Sequence, residues 1–306
     1  MSNVATVILT YNEEMHIARA IDSAKAFSSD ILVVDSFSTD RTVDIARSSG
    51  ARVLQNKFIN HSRQFAWGLE NGDIRAEWTL RLDADEIIGA DLAQRIRNEL
   101  PNLPSDVAGV TFSRRHIFMG RWVRHGGRYP LHLLRLWRTG QGAVEDRWMD
   151  EHVVLTGGRA IQFEGFFADA SLRDLSSFIA KHNRYATLEA VEVLNQRHNL
   201  FERARDANLH NSGRQMKMKR LIKERIYNKL PFAIGPLAYF LFRYLIQLGF
   251  LDGREGLIYH FMQGLWYRLL VEAKTDELEP RIAACKSRDE RIALLIDATG
   301  LNLTME

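Results

Sequence analysis

A single cysteine, Cys285, stands in a chain of 306 residues. One thiol closes no intramolecular disulfide and builds no cysteine-based zinc cluster, and its isolation fits a reducing cytoplasm. Charge of one sign is also scarce. Lys and Arg number 41 against 38 Asp and Glu, leaving a net +3, so a globally basic nucleic-acid coat is excluded and no nucleic-acid partner is expected. The turn after the first strand is not glycine-rich, as a dinucleotide-binding fold requires; Tyr11-Asn12-Glu13-Glu14 stands there. No G-x-x-x-x-G-K-S/T occurs, which removes P-loop chemistry. The first ten residues lack the basic flank and long apolar run of a signal peptide, and the first basic residue is Arg19. Internal repeats and low-complexity linkers are missing as well. What is there is ordinary globular composition, 46% apolar and 26% charged, enough for two domains or one large α/β domain with an appendage.

The first hundred residues alternate strand and helix signals. Strands are expected over 4–10, 31–34, 52–54 and 78–82. Helices are expected from Glu13, capped by Asn12; from Thr39 or Asp40 to Ala46, stopped by Gly50; over His61 to Asn71; and from Asp91 to Leu100, stopped by Pro101. Strands spaced by helices imply parallel βαβ units, in which ligands sit beyond the carboxyl ends of the strands. Three of those ends read Thr10-Tyr11-Asn12-Glu13, Asp35-Ser36 and Asp83-Ala84-Asp85-Glu86. Carboxylates therefore gather along one edge.

Residues 107–112 and 153–155 read as further strands, Gly157-Gly158 as a turn, and 121–130 as a loop-rich stretch. From Leu172 the pattern turns helical. Seven Lys and Arg with one acid, Glu224, lie between Arg214 and Lys229, and Met218, Leu221, Ile222, Ile226 and Leu230 form an apolar stripe beside them. An aromatic, apolar run follows to Leu251, interrupted by Pro231, Gly235 and Pro236. Its longest clean helix, Leu237 to Leu251, is roughly 22 Å long, short of a hydrocarbon core of about 30 Å. A basic amphipathic helix followed by such a run suits lying on an anionic membrane surface. The competing reading is a helix pair that packs on the catalytic domain or a second subunit.

Asp83-Ala84-Asp85 closes a buried strand, where unpaired carboxylates are costly and want a cation or exposure. Magnesium and manganese take one or two carboxylates plus phosphate oxygens, so a D-x-D pair at a strand end suits a metal bridging a diphosphate. Asp40 is read as a helix cap and Glu86 as a solvated loop residue. Arg128, Arg135 and Arg138 are candidates for the diphosphate or an anionic acceptor, because guanidinium forks match phosphate. Ion pairing with Glu145, Asp146 or Asp150 is the alternative for any of them.

Thr10-Tyr11-Asn12-Glu13-Glu14, Val33 to Thr42 and Arg81 to Glu86, in that order and spacing, resemble family 2 glycosyltransferases of GT-A fold. Arg124 to Pro130, Leu134 to Arg138, Asp150-Glu151-His152 and Gly249 to Gly256 resemble the subgroup of bacterial lipopolysaccharide-core β-glucosyltransferases. The resemblance implies an α/β fold: a Rossmann-like, mostly parallel sheet with flanking helices in a catalytic domain at 1–170. A helical region at 171–306 follows, with a membrane-surface or oligomerisation segment at 214–272. It also implies roles. Thr10, Tyr11 and Glu13 line the nucleotide, Asp35 meets the uracil or ribose, Asp83 the ribose or metal, and Asp85 the metal. Many members carry two acids where this chain has Asp35-Ser36, which leaves the choice of nucleotide open.

An inverting transfer needs a carboxylate base on the acceptor side, and alignment on the family's Val-His-Glu favours Glu151. Asp150, which replaces the His, is the second candidate. The expected protein is a metal-dependent inverting glycosyltransferase, with magnesium or manganese as cofactor. It moves a hexose, glucose from UDP-glucose, to a lipid-linked or lipopolysaccharide-core glycan. It acts in the cytoplasm at the inner face of a bacterial inner membrane, with a homo-oligomer through the tail as a further possibility. The alternatives are a polyprenyl-phosphate glycosyltransferase and a non-catalytic membrane adaptor.

Overall fold

The computed structural model describes residues 3–144, 152–201 and 231–301. The chain divides into two compact units, Met1–Leu172 and Arg173–Glu306.

In the first unit the β-branched runs form strands and the amphipathic segments cover them. β1 (Val4–Thr10), β2 (Asp30–Asp35), β3 (Arg52–Gln55) and β4 (Trp78–Asp83) alternate with α1 (Ile17–Ala24), α2 (Thr42–Ser48) and α3 (His61–Asn71). β5 (Glu86–Ile88), α4 (Ala90–Glu99), β6 (Val107–Phe118), β7 (Arg121–Val123), β8 (His132–Arg138), β9 (Gly142–Val144), β10 (Val153–Leu155) and β11 (Arg159–Asp169) follow. The main sheet runs β3-β2-β1-β4-β8-β6-β11-β5, with β7 on β6; β9 and β10 pair separately. The sheet is parallel across β3-β2-β1-β4. Beyond β4 it is mixed: β8 is antiparallel to β4 and β6, β11 is parallel to β6, and β5 is antiparallel to β11. One face of β1 packs Val4 and Ile8 against Ile17, Ile21 and Phe27; the other packs Val7 with Phe65 and Trp137. Parallel strands buried on both faces read as continuous apolar runs, which is why the first strands were legible.

Two expectations change here. Asn12 does not cap α1, which starts at Ile17. It sits at φ 52° and turns its carbonyl oxygen onto Thr39 N at 2.8 Å. Asn tolerates that left-handed backbone better than most residues, and its short polar side chain serves either role. Glu86 is not a solvated loop residue. It opens β5 opposite Asp169 and is 3% exposed.

In the second unit α5 (Leu175–His198) is capped by Asp174, which accepts from Ser177 N at 2.8 Å, and ends at left-handed Asn199. α6 (Ile234–Leu241) leads into a π-turn at Phe242–Ile246 and a 3-10 turn at Gly249–Asp252. α7 (Gly253–His260), a second π-turn (Phe261–Trp266), α8 (Tyr267–Ala284) and α9 (Arg288–Thr299) complete it. The continuous helix expected over Leu237 to Leu251 is thus broken, with Leu248 at φ 61°. Leu194 of α5, Leu278 and Ile282 of α8 and Leu295 of α9 form a buried core. Glu189 accepts from Tyr267 and Arg268, both at 2.7 Å, tying α5 to α8. The basic segment from Arg214 to Leu230 lies outside the described residues.

Candidate active site at the carboxyl edge of the sheet

Register brings the expected residues together. Thr10 pairs with Asp35 across β1 and β2, and Leu9 pairs with Asp83 across β1 and β4. Asp35 and Asp83 therefore flank the end of β1 at two strand spacings, about 10 Å apart. Thr10 is 5% exposed, and its Oγ1 has no hydrogen-bond partner among the described residues. An orphaned hydroxyl at a sheet edge fits a site that a ligand completes.

The first two loops are stitched to each other. Three successive backbone N–H groups of the first loop donate to side chains of the second. Asn12 N reaches Ser38 Oγ at 2.8 Å, Glu13 N reaches Thr42 Oγ1 at 2.7 Å, and Glu14 N reaches Asp40 Oδ2 at 3.2 Å. Asp40 also accepts from Thr42 N at 3.0 Å; it stands one residue before Arg41, which takes the cap position of α2 with no side-chain bond. Burial pushes its carboxyl up, but the Thr42 and Glu14 donors outweigh this and hold it below the usual range. Asp35 is fully buried and accepts from Ser38 N and Gln55 Nε2, both at 2.9 Å, and from the Ser38 hydroxyl. Gln64 donates to Ser36 Oγ at 3.1 Å, bracing the residue beside Asp35. Ser38, Gln55 and Gln64 escaped the sequence reading, because single polar residues on separate elements leave no pattern.

Tyr11 is 56% exposed and Phe37, at φ 61°, is 55% exposed. Both stand at the ends of strands whose polar groups line the edge. Glu13 Oε2 is 2.5 Å from His16 Nδ1, and Leu172 N donates to His16 Nε2 at 2.8 Å. His16 is fully buried. Nε2 accepts, so the ring proton sits on Nδ1 and is donated to Glu13. Glu13 is therefore anchored from behind.

The D-x-D end of β4 is the most charged part. Asp83 lies 3.4 Å from Arg81 and 3.5 Å from Arg135. Desolvation raises its pKa, but the fields of Arg81, Arg135 and His61 outweigh it and hold the carboxyl well below the usual range. Glu86 accepts from Arg135 at 2.6 Å and from Asp83 N at 2.9 Å. Its burial beside Asp83 pushes its carboxyl up despite Arg135.

Arg135 differs from its expected role. Val110 pairs with Leu136 and Thr111 with Leu134, so Arg135 is the extra residue of a β-bulge, which re-aims a side chain. It is 8% exposed, and its Nη2 reaches Glu86 at 2.6 Å and Asp83 at 3.5 Å, so this guanidinium braces the two acids. Arg138 is excluded from the edge. It pairs with Trp78 at the opposite end of β4, about 17 Å from Asp83. There it bonds Glu77 and lies 4.6 Å over the Trp78 ring. Trp137 is core, 1% exposed. Arg128 lies between β7 and β8, after Gly126 and Gly127 at positive φ. Nearby on β6, Arg115 is held between Phe166 at 3.4 Å and Trp122 at 4.3 Å, and Trp122 meets Tyr129 edge-on at 5.0 Å. His116 Nδ1 bonds Asp169 at 3.0 Å, and burial lowers its pKa. The candidate bases Asp150 and Glu151 lie outside the described residues.

No cluster of three or more His, Cys, Asp or Glu suited to a metal occurs among the described residues. Asp83, partly open, and Asp85 remain as two carboxylates at the edge. This donor set does not make an all-protein cage; it fits a magnesium or manganese ion that shares its oxygens with a diphosphate.

The profile of glycosyl transferase family 2 matches residues 6–169, just over half of the chain. The chain belongs to this family. The matched region covers nearly all of the first unit, whose fold is α/β. It is similar to the uncharacterized glycosyltransferase RT0209 of Rickettsia typhi, 38% identical over 102 residues, 33% of this chain and 32% of the relative. It is also similar to Protein RfbJ of Shigella flexneri, 33% identical over 104 residues, 32% of this chain and 76% of that protein. The chain thus spans about a third of the length of its Rickettsia typhi relative. Among solved structures, glucosyl-3-phosphoglycerate synthase from Mycobacterium tuberculosis, in complex with Mn2+, UDP and glucosyl-3-phosphoglycerate, matches 37% of this chain and 43% of its own. The identity is 21% and the TM-score 0.29.

Proposed function

We propose that this transferase moves a hexose, glucose from UDP-glucose, to a lipid-linked or lipopolysaccharide-core glycan, with inversion and with a divalent cation. The observation that carries the reading is the shared edge: Thr10 pairs with Asp35, and Asp83 pairs with Leu9, at the ends of three adjacent parallel strands. Thr10 and Asp35 take the base and ribose, and Tyr11 covers them. Asp83 and Asp85 would hold magnesium or manganese, which would supply charge neutralisation for the leaving diphosphate. Arg81 and Arg135 keep Asp83 ionised for that purpose, and Glu86 fixes Arg135. Glu151, or Asp150 beside it, takes the proton from the acceptor hydroxyl as it attacks the anomeric carbon. Arg128 serves the diphosphate or an anionic acceptor. The site of action is the cytoplasmic face of the bacterial inner membrane.

The test is turnover of radiolabelled UDP-glucose on a lipopolysaccharide-core acceptor, with and without excess chelator. Transfer that stops on chelation and returns with manganese supports the reading. Undiminished transfer in chelator removes the metal from it. Binding of another nucleotide sugar in preference, read as a larger rise in melting temperature, removes the donor.

A further inference from the structure

The second unit places polar groups inside and apolar groups outside along one stretch. Thirteen of the twenty-three exposed large hydrophobic side chains of the described residues fall between Phe232 and Phe261. Ile246 is 71% exposed, Phe232 56%, and Leu245 and Leu251 50% each. From Pro231 to Gly253 only Arg243 and Asp252 carry charge, and both are buried, as is His260 beyond them.

This stretch is firmly packed. Phe240 stacks on Tyr244 at 5.4 Å and meets Phe261 edge-on at 6.3 Å. A Cβ on Gly249 would lie 2.7 Å from the His260 ring and 2.9 Å from the Arg243 carbonyl, and one on Gly256 would lie 2.4 Å from Asp252 Cβ. The outward apolar groups therefore belong to a built hairpin. A patch of that extent marks an interaction surface.

Its shape selects the partner. A neighbouring helix covers one stripe of a helix, but α6 is open on opposite sides: exposed Leu237 and Tyr239 lie about 200° apart around its axis. Hydrocarbon covers all sides at once. The eight residues of α6 and five of its π-turn make an arm of about 20 Å, short of a core of about 30 Å. The chain then turns back, with a bend of 72° between Ile234–Ile246 and Gly249–Ala284. No single helix among the described residues is long and apolar enough to cross a membrane. The seven Lys and Arg between Arg214 and Lys229 precede the hairpin in sequence and suit anionic headgroups.

We propose that the hairpin from Pro231 to Phe261 is a monotopic anchor that inserts into one leaflet of an anionic bilayer. It deepens the membrane reading above and is independent of the transfer chemistry, since it rests on the second unit alone.

The test is flotation of the full chain with phosphatidylcholine vesicles, with and without phosphatidylglycerol. Insertion predicts that flotation survives about 1 M salt, where the screening length falls to about 3 Å. Ile246→Asp and Leu245→Asp should each weaken partitioning at least about tenfold, since an acid in hydrocarbon costs a few kcal/mol, while Ile246→Leu keeps it. A Leu251→Trp variant should be quenched by lipids brominated on their acyl chains, which reports insertion without relying on the acidic variants' folding. Release of UDP from UDP-glucose by the same variants reads the transferase separately. A chain that ignores vesicles, leaves them fully at high salt, or shows unquenched Leu251→Trp fluorescence overturns the proposal. So does an oligomer that Ile246→Asp dissociates without any vesicle binding; the hairpin is then a subunit interface.

Discussion

Glu86→Gln isolates the buried acid beneath the D-x-D turn. The replacement keeps the volume and one carbonyl oxygen for Arg135 or Asp83 N, and removes the titration. In the folded chain the Glu86 carboxyl is pushed up to about 8 from an ordinary 4.5. Between those values the folded protein keeps a proton that the unfolded chain has released. Stability contributed by this group is therefore present below pH 4.5 and lost as pH rises toward 8. Each unit is worth about 1.4 kcal/mol, so the full span reaches on the order of 5 kcal/mol. Asp83 has the opposite sign, stabilising above its ordinary value and losing this only in acid. It is flat across the window in which Glu86 changes.

The assay is the melting temperature of wild type and Glu86→Gln from pH 5 to pH 8. For a unit of this size about 1 kcal/mol moves the midpoint by about 2–4 °C. Subtracting the two curves removes every group they share, including His116. The wild type should fall relative to the variant by about 5–15 °C as pH rises over that range. A constant offset between the curves refutes the argument and means that Arg135, 2.6 Å away, keeps Glu86 ionised throughout.

Asp85→Asn should abolish most turnover with the melting temperature unchanged, checked by sugar transfer and thermal shift. Glu151→Gln should lower kcat at least about a hundredfold with little change in donor affinity; if Asp150→Asn is the crippling change instead, the two acids exchange roles. Arg138→Gln should cost about 0–1 kcal/mol of stability and leave the donor KM unaltered, because it stands at the far end of β4. Asn12→Ala should cost about 1–2 kcal/mol through lost bonding to Thr39 and a strained backbone, measured by denaturant melts, and Asn12→Gly should recover the strain but not the bond.

Much of the edge was legible because parallel strands aim their carboxyl ends the same way. Once 4–10, 31–34 and 78–82 are strands, Thr10, Asp35 and Asp83 must converge. His61 to Asn71 was legible in full, since Asn60 caps it and Gly72 ends it. Glu86 was not, because a strand of three residues is shorter than any periodicity can register. Arg135 was misread for a related reason. In His132-Leu133-Leu134-Arg135-Leu136 regular alternation fixes its face, and only the pairing to Val110 and Thr111 reveals the extra residue. The Asn12 side chain satisfies N–H groups in either role, so its chemistry did not separate a helix cap from a left-handed loop brace. Across β8 and β11 the sheet turns mixed, and no local pattern announces strand direction.

The proposed donor requires an edge that tolerates a diphosphate. Three acids, Asp83, Asp85 and Glu86, stand within four residues and would repel an anionic leaving group if all were ionised. Burial pushes the Glu86 carboxyl toward its neutral form, and Arg81 and Arg135 both face Asp83. The field of both arginines falls on Asp83, and the bulge at Arg135 sets a guanidinium beside the turn. Glu86 binds Asp83 N and Arg135 together, so it fixes the turn while burial works against its charge.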